Sequence, residues 1–236
     1  MRMLGIRDLN QLNALLVGNS DGIGLAMTKR LLALGWYVIG ISRSESPITD
    51  KSYTHYVLDV TDSQFASLLD SLIIDNSLDL CIYSAGIGEL INLSDMKREV
   101  KIMDVNLLGM VRTTSTVIPH MIERNQGHFI GISSLADELL SSEAPSYHAS
   151  KAGFSNYLES LARSLKKEGV FVTNIRFGFV DTKMAKGDIK PFIMSVEEAV
   201  NHLVKCMKNK PIRYTAPKIV IPLIKFRKIM MRITGQ

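Results

Sequence analysis

The sequence predicts an α/β protein: a single domain with a doubly wound parallel sheet of about seven strands and helices on both faces. Three observations carry that expectation. Short apolar runs alternate with longer amphipathic ones along most of the 236 residues. A glycine-spaced corner, VGNSDGIG, directly follows the first apolar run. No internal repeat, low-complexity stretch or Pro/Gly/Ser-rich linker interrupts the pattern, so one domain spans 1–236.

The expected strands are, in order, NALLVG, YVIGIS, THYVLDV, DLCIYSAG, GHFIGISS and VFVTNIRFG, with KIVI as a weaker last one. Each is a short apolar run rich in β-branched or aromatic residues. Between them lie helical stretches at 24–34, 63–74, 94–123, 147–167 and 196–208. With 46% hydrophobic and 22% charged residues, the chain can bury a sizeable core. Cys81 and Cys206 have no disulfide-framework spacing, and Cys81 lies in an apolar run; a reduced, cytoplasmic protein is expected. The N-terminal MRMLGIRDLNQ lacks the apolar core of a signal peptide, and no apolar run approaches the length of a spanning helix.

The formal net charge of +5 is unevenly spread. Residues 199–236 hold nine Lys or Arg and no acid, leaving 19 basic and 23 acidic side chains, a net −4, in the first 198. The basic character therefore belongs to a C-terminal tail, 218–236. Counted at helical spacing, Lys225, Lys228 and Arg232 share one face of it. Leu223, Phe226, Ile229, Met230 and Ile233 share the other, with Arg227 off-pattern. Such a helix either docks on its own domain or a subunit interface, or rests weakly on an anionic membrane surface. No nucleic-acid-binding motif accompanies the charge, and no nucleic-acid partner is expected.

Gly18, Gly22 and Gly24 are spaced G-x-x-x-G-x-G between a strand and a helix. That is the physics of a Rossmann-type turn: glycines allow backbone to approach a pyrophosphate at a helix N-terminus. A plain glycine-rich corner is the alternative. On the first reading Gly18, Ser20, Asp21, Gly22, Ile23 and Gly24 contact a dinucleotide. The second strand ends in Ser42, Arg43 and Ser44 rather than in an acid, a set suited to the 2′-phosphate of NADP(H), with NAD(H) as the alternative. Asp21 opposes this, since an acid there repels phosphate unless it pairs, for example with Arg43.

Tyr147 and Lys151 lie four apart at the start of a helical stretch, so the ammonium can stand beside the phenol and favour proton exchange. A second Tyr-x-x-x-Lys, Tyr214 to Lys218, contains Pro217 and carries no such meaning. Upstream, FIGISS ends an apolar strand with Ser133 and Ser134 at the sheet edge where open α/β folds bind ligands. His and Cys residues show no metal-ligand spacing, and no metal is expected.

Taken together, GNSDGIG, LDV, YSAG, NLLG, ISS, YHASK and RFGFVDT, in this order from about Asn13 to Thr182, make the chain resemble the short-chain dehydrogenase/reductase family, in its compact single-domain branch. The resemblance implies an oxidoreductase interconverting a carbonyl and an alcohol by hydride transfer, with Asn106, Ser134, Tyr147 and Lys151 as catalytic residues. It implies that Asp59 and Val60 meet the adenine and that Ala85 and Gly86 border the adenosine ribose. Lys151 and Tyr147 would meet the nicotinamide ribose, and Gly178, Val180 and Thr182 the nicotinamide end. A small-molecule carbonyl or alcohol substrate and a homodimer or homotetramer are further implications. Related proteins also epimerise or dehydrate, and a non-catalytic NADP(H)-binding sensor or scaffold uses the same fold. The sequence departs from the family's pattern at Val17 (usually Thr), Ser84 (often Asn) and Phe177 (usually Pro). The segment 183–195, where the family places a substrate lid, is short.

Overall fold

A computed structural model describes residues 11–185, 191–224, 226 and 230. Seven parallel strands form one sheet in the order β3-β2-β1-β4-β5-β6-β7. They are β1 (Asn13–Val17), β2 (Tyr37–Ser42), β3 (Tyr53–Val57), β4 (Leu80–Tyr83), β5 (Gly127–Ser134), β6 (Val170–Phe177) and β7 (Arg213–Ala216). The chain runs outward from β1 to β3, then returns to place β4 on the other side of β1. That reversal opens a crevice at the carboxyl ends of β1 and β4, the usual ligand position in such sheets.

The helices are α1 (Gly22–Ala33), α2 (Phe65–Asp75), α3 (Lys97–Met103), α4 (Gly109–Glu123), α5 (Pro145–Ser164) and α6 (Val196–Asn209). Strand side chains alternate between faces, and the core splits accordingly. Leu15, Val17, Cys81, Tyr83 and Phe129 face α2, α4 and α5, whereas Ala14, Leu16, Leu80, Ile82 and Ile130 face α1 and α6. Both faces of the central strands are thus dry, which is why they read as continuous apolar runs. Each fully buried Leu, Ile or Phe contributes about 1.5–3 kcal/mol, so these layers fix the sheet that carries the site. Local signals set the helix starts: Ser195 and Glu198 form a reciprocal capping box on α6, Pro145 opens α5, and Asp21 caps α1.

Two stretches differ from the sequence expectation. The long helical region 94–123 is not one helix; a π-helical turn, Asp104–Leu108, separates α3 from α4. Tyr83 donates to the carbonyl of Val105 (2.6 Å), and Asn106 is drawn in to bond Ile87, so tertiary bonds hold the extra residue in place. The last strand is RYTA, not KIVI: Lys218–Val220 form a 3-10 turn that runs into a helical segment at 221–224. Pro217 lacks the N–H that continued pairing with β6 would need, so the ladder ends at Ala216. Of the amphipathic tail, Leu223, Phe226 and Met230 are exposed, while Lys225, Arg227, Lys228, Ile229, Arg232 and Ile233 lie outside the described residues. Among the described residues, no helix is long and apolar enough to cross a membrane.

Candidate active site

The glycine turn follows β1 directly. Gly18 has φ +86°, and a Cβ there would stand 2.4 Å from the backbone nitrogen of Ala85, so only glycine lets β1 and β4 leave the sheet this closely together. Gly24 is equally constrained, since its Cβ would fall 2.0 Å from the Gly18 carbonyl oxygen. Gly22 (φ +51°) lies under Thr182, whose methyl carbon would be 3.3 Å from an added Cβ. Thr182 therefore sits over the turn. Ser20 is half-buried on the turn, and Ile23 packs into the core beneath α1. Val17, the departure from the family's Thr, is fully buried.

Asp21 is placed by two bonds. Its carboxylate accepts from the Gly22 N–H (2.7 Å) and pairs with the Lys183 ammonium (3.1 Å). The Gly22 N–H, followed by the Lys183 hydrogen bond, holds its pKa below the usual carboxylate value. The suggested pairing of Asp21 with Arg43 is not formed. Asp21 acts instead as the N-cap of α1, where a carboxylate suits the positive end of the helix.

At the end of β2 the Ser42 hydroxyl donates to the Ser44 carbonyl (2.8 Å), folding the chain so that Arg43 is exposed. Two residues that sequence reasoning missed brace this corner. The Tyr53 hydroxyl bonds Asn19 Nδ2 (2.7 Å) and His55 Nδ1 (2.9 Å), and His55 Nε2 lies 3.0 Å from the Ser44 carbonyl. Gly40 between them is obligatory, because its Cβ would be 2.1 Å from Asn19 Nδ2. Asp59 lies past β3, where Oδ1 accepts from Thr61 N–H and hydroxyl and Oδ2 from Lys101 (3.2 Å). Val60 is buried beside Gly109.

The second half of the site lies at the ends of β4 and β5. Ser134 ends β5, where its hydroxyl accepts from the Ala136 N–H (3.2 Å) and stands close enough to Tyr147, in the first turn of α5, to act on its titration. Burial pushes the Tyr147 phenol above its ordinary pKa; the neighbouring Ser134 hydroxyl lowers it and the Asp137 charge raises it. Lys151 is buried one turn further on. Its ammonium donates to the Ile132 carbonyl (3.0 Å) and stands 6.0 Å from the Tyr147 ring centroid and 5.0 Å from that of Phe154. Burial brings its pKa down to about 8, against the upward pull of Asp137.

Asn106, on the π turn, is fully buried. It accepts from the Ile87 N–H (2.8 Å) and donates to the Ile87 carbonyl (2.9 Å) and the Ser150 hydroxyl (3.0 Å). Ser150 in turn donates to the Tyr147 carbonyl. Gly86 and Gly88 keep this floor open: a Cβ on Gly86 would lie 3.5 Å from Asn106 and 3.8 Å from Lys151, and one on Gly88 3.1 Å from the Tyr147 ring. Ala85 borders the glycine turn. Beyond β6, Gly178 donates to Ala216, while Val180 is buried and pairs with Met194, joining the two ends of the expected lid. Residues 186–190 of that segment lie outside the described residues.

Asn106, Ser134, Tyr147 and Lys151 thus come together beside the Gly86–Gly88 loop at the switch point, next to a glycine cradle. The cradle fits a dinucleotide: positive-φ glycines and the missing Cβ atoms leave backbone rather than side chain at the mouth of α1. Tyr214 of the second Tyr-x-x-x-Lys bonds His202 instead, far along the chain from this pocket.

A match to the short chain dehydrogenase family covers residues 12–191, and the chain belongs to that family of oxidoreductases. It is 32% identical to an uncharacterized oxidoreductase of Myxococcus xanthus over 214 residues, 84% of each chain. It is also 32% identical over 183 residues to the 3-oxoacyl-[acyl-carrier-protein] reductase FabG of Vibrio cholerae, covering 73% of this chain and 75% of that one. In fold it is similar to a short chain dehydrogenase from Burkholderia cenocepacia in complex with NADP, with TM-score 0.84 and 20% identity, covering 94% of this chain and 96% of that one.

Proposed function

We propose that this protein interconverts a carbonyl and an alcohol on a small molecule, using a nicotinamide cofactor and NADP(H) in preference to NAD(H). The observation that carries the reading is the placement of Tyr147 beside Ser134 at the end of β5, with the buried Lys151 one helical turn away, its ammonium 6.0 Å from the Tyr147 ring. The cofactor, when bound, supplies or accepts the hydride. Ser134 orients the substrate oxygen. Tyr147 donates its phenolic proton to that oxygen in reduction, or accepts one in oxidation. The Lys151 charge stabilises the phenolate that donation leaves behind. Asn106 holds Ile87 and the first turns of α5 in place, and with Lys151 it retains a water that returns the proton to Tyr147. Gly18, Gly22 and the start of α1 would cradle the pyrophosphate, and Arg43 with Ser42 and Ser44 would meet the 2′-phosphate. The similarity to a 3-oxoacyl-[acyl-carrier-protein] reductase supports reduction of a carbonyl without fixing the substrate.

The test is Tyr147→Phe, assayed by NADPH oxidation over a panel of ketones, aldehydes and β-keto esters. Removing a general acid costs about 10²–10⁴-fold in turnover, while NADPH binding followed by its fluorescence stays near the wild-type value. Turnover retained in the variant overturns the assignment.

A further inference from the structure

Behind the pocket, on the side of α5 facing β6 and β7, lies a buried charged network that the expected mechanism does not use. Asp137, on the 3-10 turn after β5, has a side chain only 2% exposed. Arg176 of β6, itself 5% exposed, clamps it through Nε to Oδ2 and Nη2 to Oδ1, both 2.6 Å. The same Nη2 reaches Glu138 (2.6 Å). Burying a guanidinium and a carboxylate is costly unless the geometry is well satisfied, and a bidentate pair is the arrangement that meets the cost.

The network extends toward the site. The Ser155 hydroxyl donates to Asp137 Oδ2 (2.5 Å) and lies 2.8 Å from the Ser133 hydroxyl. An ionised carboxylate only accepts, so the direction is fixed: Ser133 donates to Ser155, and Ser155 to Asp137. Ser133 is the neighbour of Ser134 on β5, and it follows Ile132, whose carbonyl receives Lys151. Ser155 is one turn beyond Lys151 on α5. The chain therefore ties the strand end that carries Ser134 to the helix that carries Tyr147 and Lys151.

We propose that Asp137, clamped by Arg176, is a positioning residue that sets, through Ser155 and Ser133, the spacing of Ser134 from Tyr147 and Lys151. This rests on the reading of those three as the reacting centre. The carboxylate has a second consequence, because it is a fixed anion near the Lys151 ammonium and favours its charged form against burial. The titratable and charged groups that act on Lys151 are Tyr147 on α5 and Asp137 on the turn, with Arg176 of β6 and its second partner Glu138 joined to Asp137. The π turn and the β4 loop contribute the neutral Asn106 and Gly86.

The test follows the Lys151 titration directly in the cofactor-free chain, by NMR of [13Cε]lysine-labelled protein, with the signal identified by its loss in Lys151→Met. In Asp137→Asn the anion is gone while Ser155 keeps an acceptor, and the midpoint falls by about half a pH unit or more. In Ser155→Ala the carboxylate stays but the chain is cut. The Lys151–Ile132 bond, which favours the ammonium, then loosens, and the midpoint falls by a smaller amount. Ser155→Ala is nearly isosteric and keeps the proposal testable if Asp137→Asn does not fold. A residue that merely fills the core shifts the melting temperature and leaves the midpoint alone, so an unmoved midpoint in either folded variant overturns the proposal. Failure of the catalytic reading registers separately, as turnover by Tyr147→Phe.

Discussion

Replacing Lys151 with Met separates what the site needs from what the fold needs. Lys151 is 5% exposed, and burial takes its pKa from 10.5 to about 8. Below pH 8 the side chain is protonated in both folded and unfolded chains, and the folded state bears the whole cost of desolvating the charge. The gap corresponds to about 3 kcal/mol at about 1.4 kcal/mol per pH unit. Between pH 8 and 10.5 the unfolded chain binds more protons than the folded one, so the penalty is relieved as pH rises through that window. Met matches the length of the lysine stem and packs against Phe154 without a charge to bury.

Two losses offset the gain. The Ile132 carbonyl gives up its donor, which costs about 1–3 kcal/mol where water cannot replace it; Ile132 is only partly buried, which favours the low end. The ammonium also leaves the Phe154 ring, 5.0 Å away, a contact of about 0.5–1 kcal/mol. The balance is a variant about 1–2 kcal/mol more stable than wild type at pH 7, with the advantage gone near pH 10. Urea unfolding of both proteins at pH 7 and pH 9.5 measures it. A Lys151→Met protein less stable than wild type at pH 7, or a difference that ignores pH, refutes the claim that the site holds a buried charge at the expense of the fold.

His128 gives a prediction of the same sign in a lower pH window. It is buried at the start of β5 against Thr173 (2.9 Å), and burial, then the Lys210 charge, lowers its pKa from 6.5 to about 3. The stability it contributes is intact above pH 6.5 and is lost as pH falls below it, by about 2 kcal/mol at pH 5. His128→Asn should flatten the urea midpoint between pH 7 and 5 by that amount, and an unchanged slope refutes it. For the cofactor, Arg43→Ala should weaken NADPH binding about tenfold or more, the value of a charge-assisted contact, and leave NADH binding unchanged in a fluorescence titration. Equal effects on both cofactors refute the 2′-phosphate role.

What was legible in the sequence is what leaves a local trace. The inner strands of a parallel sheet are apolar on both faces, so five of the seven read as continuous runs. Of the two edge strands, β3 has no buried residue but shows aromatic and β-branched side chains, whereas the four residues of β7, opening on the exposed Arg213, carry no such signature. Asn106, Ser134, Tyr147 and Lys151 were legible because each lies in a short recurring motif, NLLG, ISS or YHASK. Their supports were not. Asp137 and Arg176 are 39 residues apart, as are Tyr53 and Asn19 by 34, and nothing local marks either pair. The one local trace is the arginine in VFVTNIRF, a charge in an otherwise uncharged strand that needs a buried partner.

Asp21 shows the same limit from the other side. Its charge at the mouth of the glycine turn was plain in the sequence, and in isolation it argues against a phosphate-bearing ligand. Its partners were not plain, because Lys183 lies beyond β6. With one oxygen on the Gly22 N–H and the other on the exposed Lys183, the carboxylate has its partners in the turn itself, and Arg43 is exposed at the end of β2 without being one of them. The two residues therefore do not compete. On the proposed function, Asp21 bears on how the pyrophosphate end of the crevice opens, since a phosphate arriving at α1 meets the Asp21–Lys183 pair first. On the same proposal the preference for NADP(H) rests on the Ser42–Arg43–Ser44 corner, whose shape depends on Tyr53, His55 and Gly40 rather than on any charge in the glycine turn.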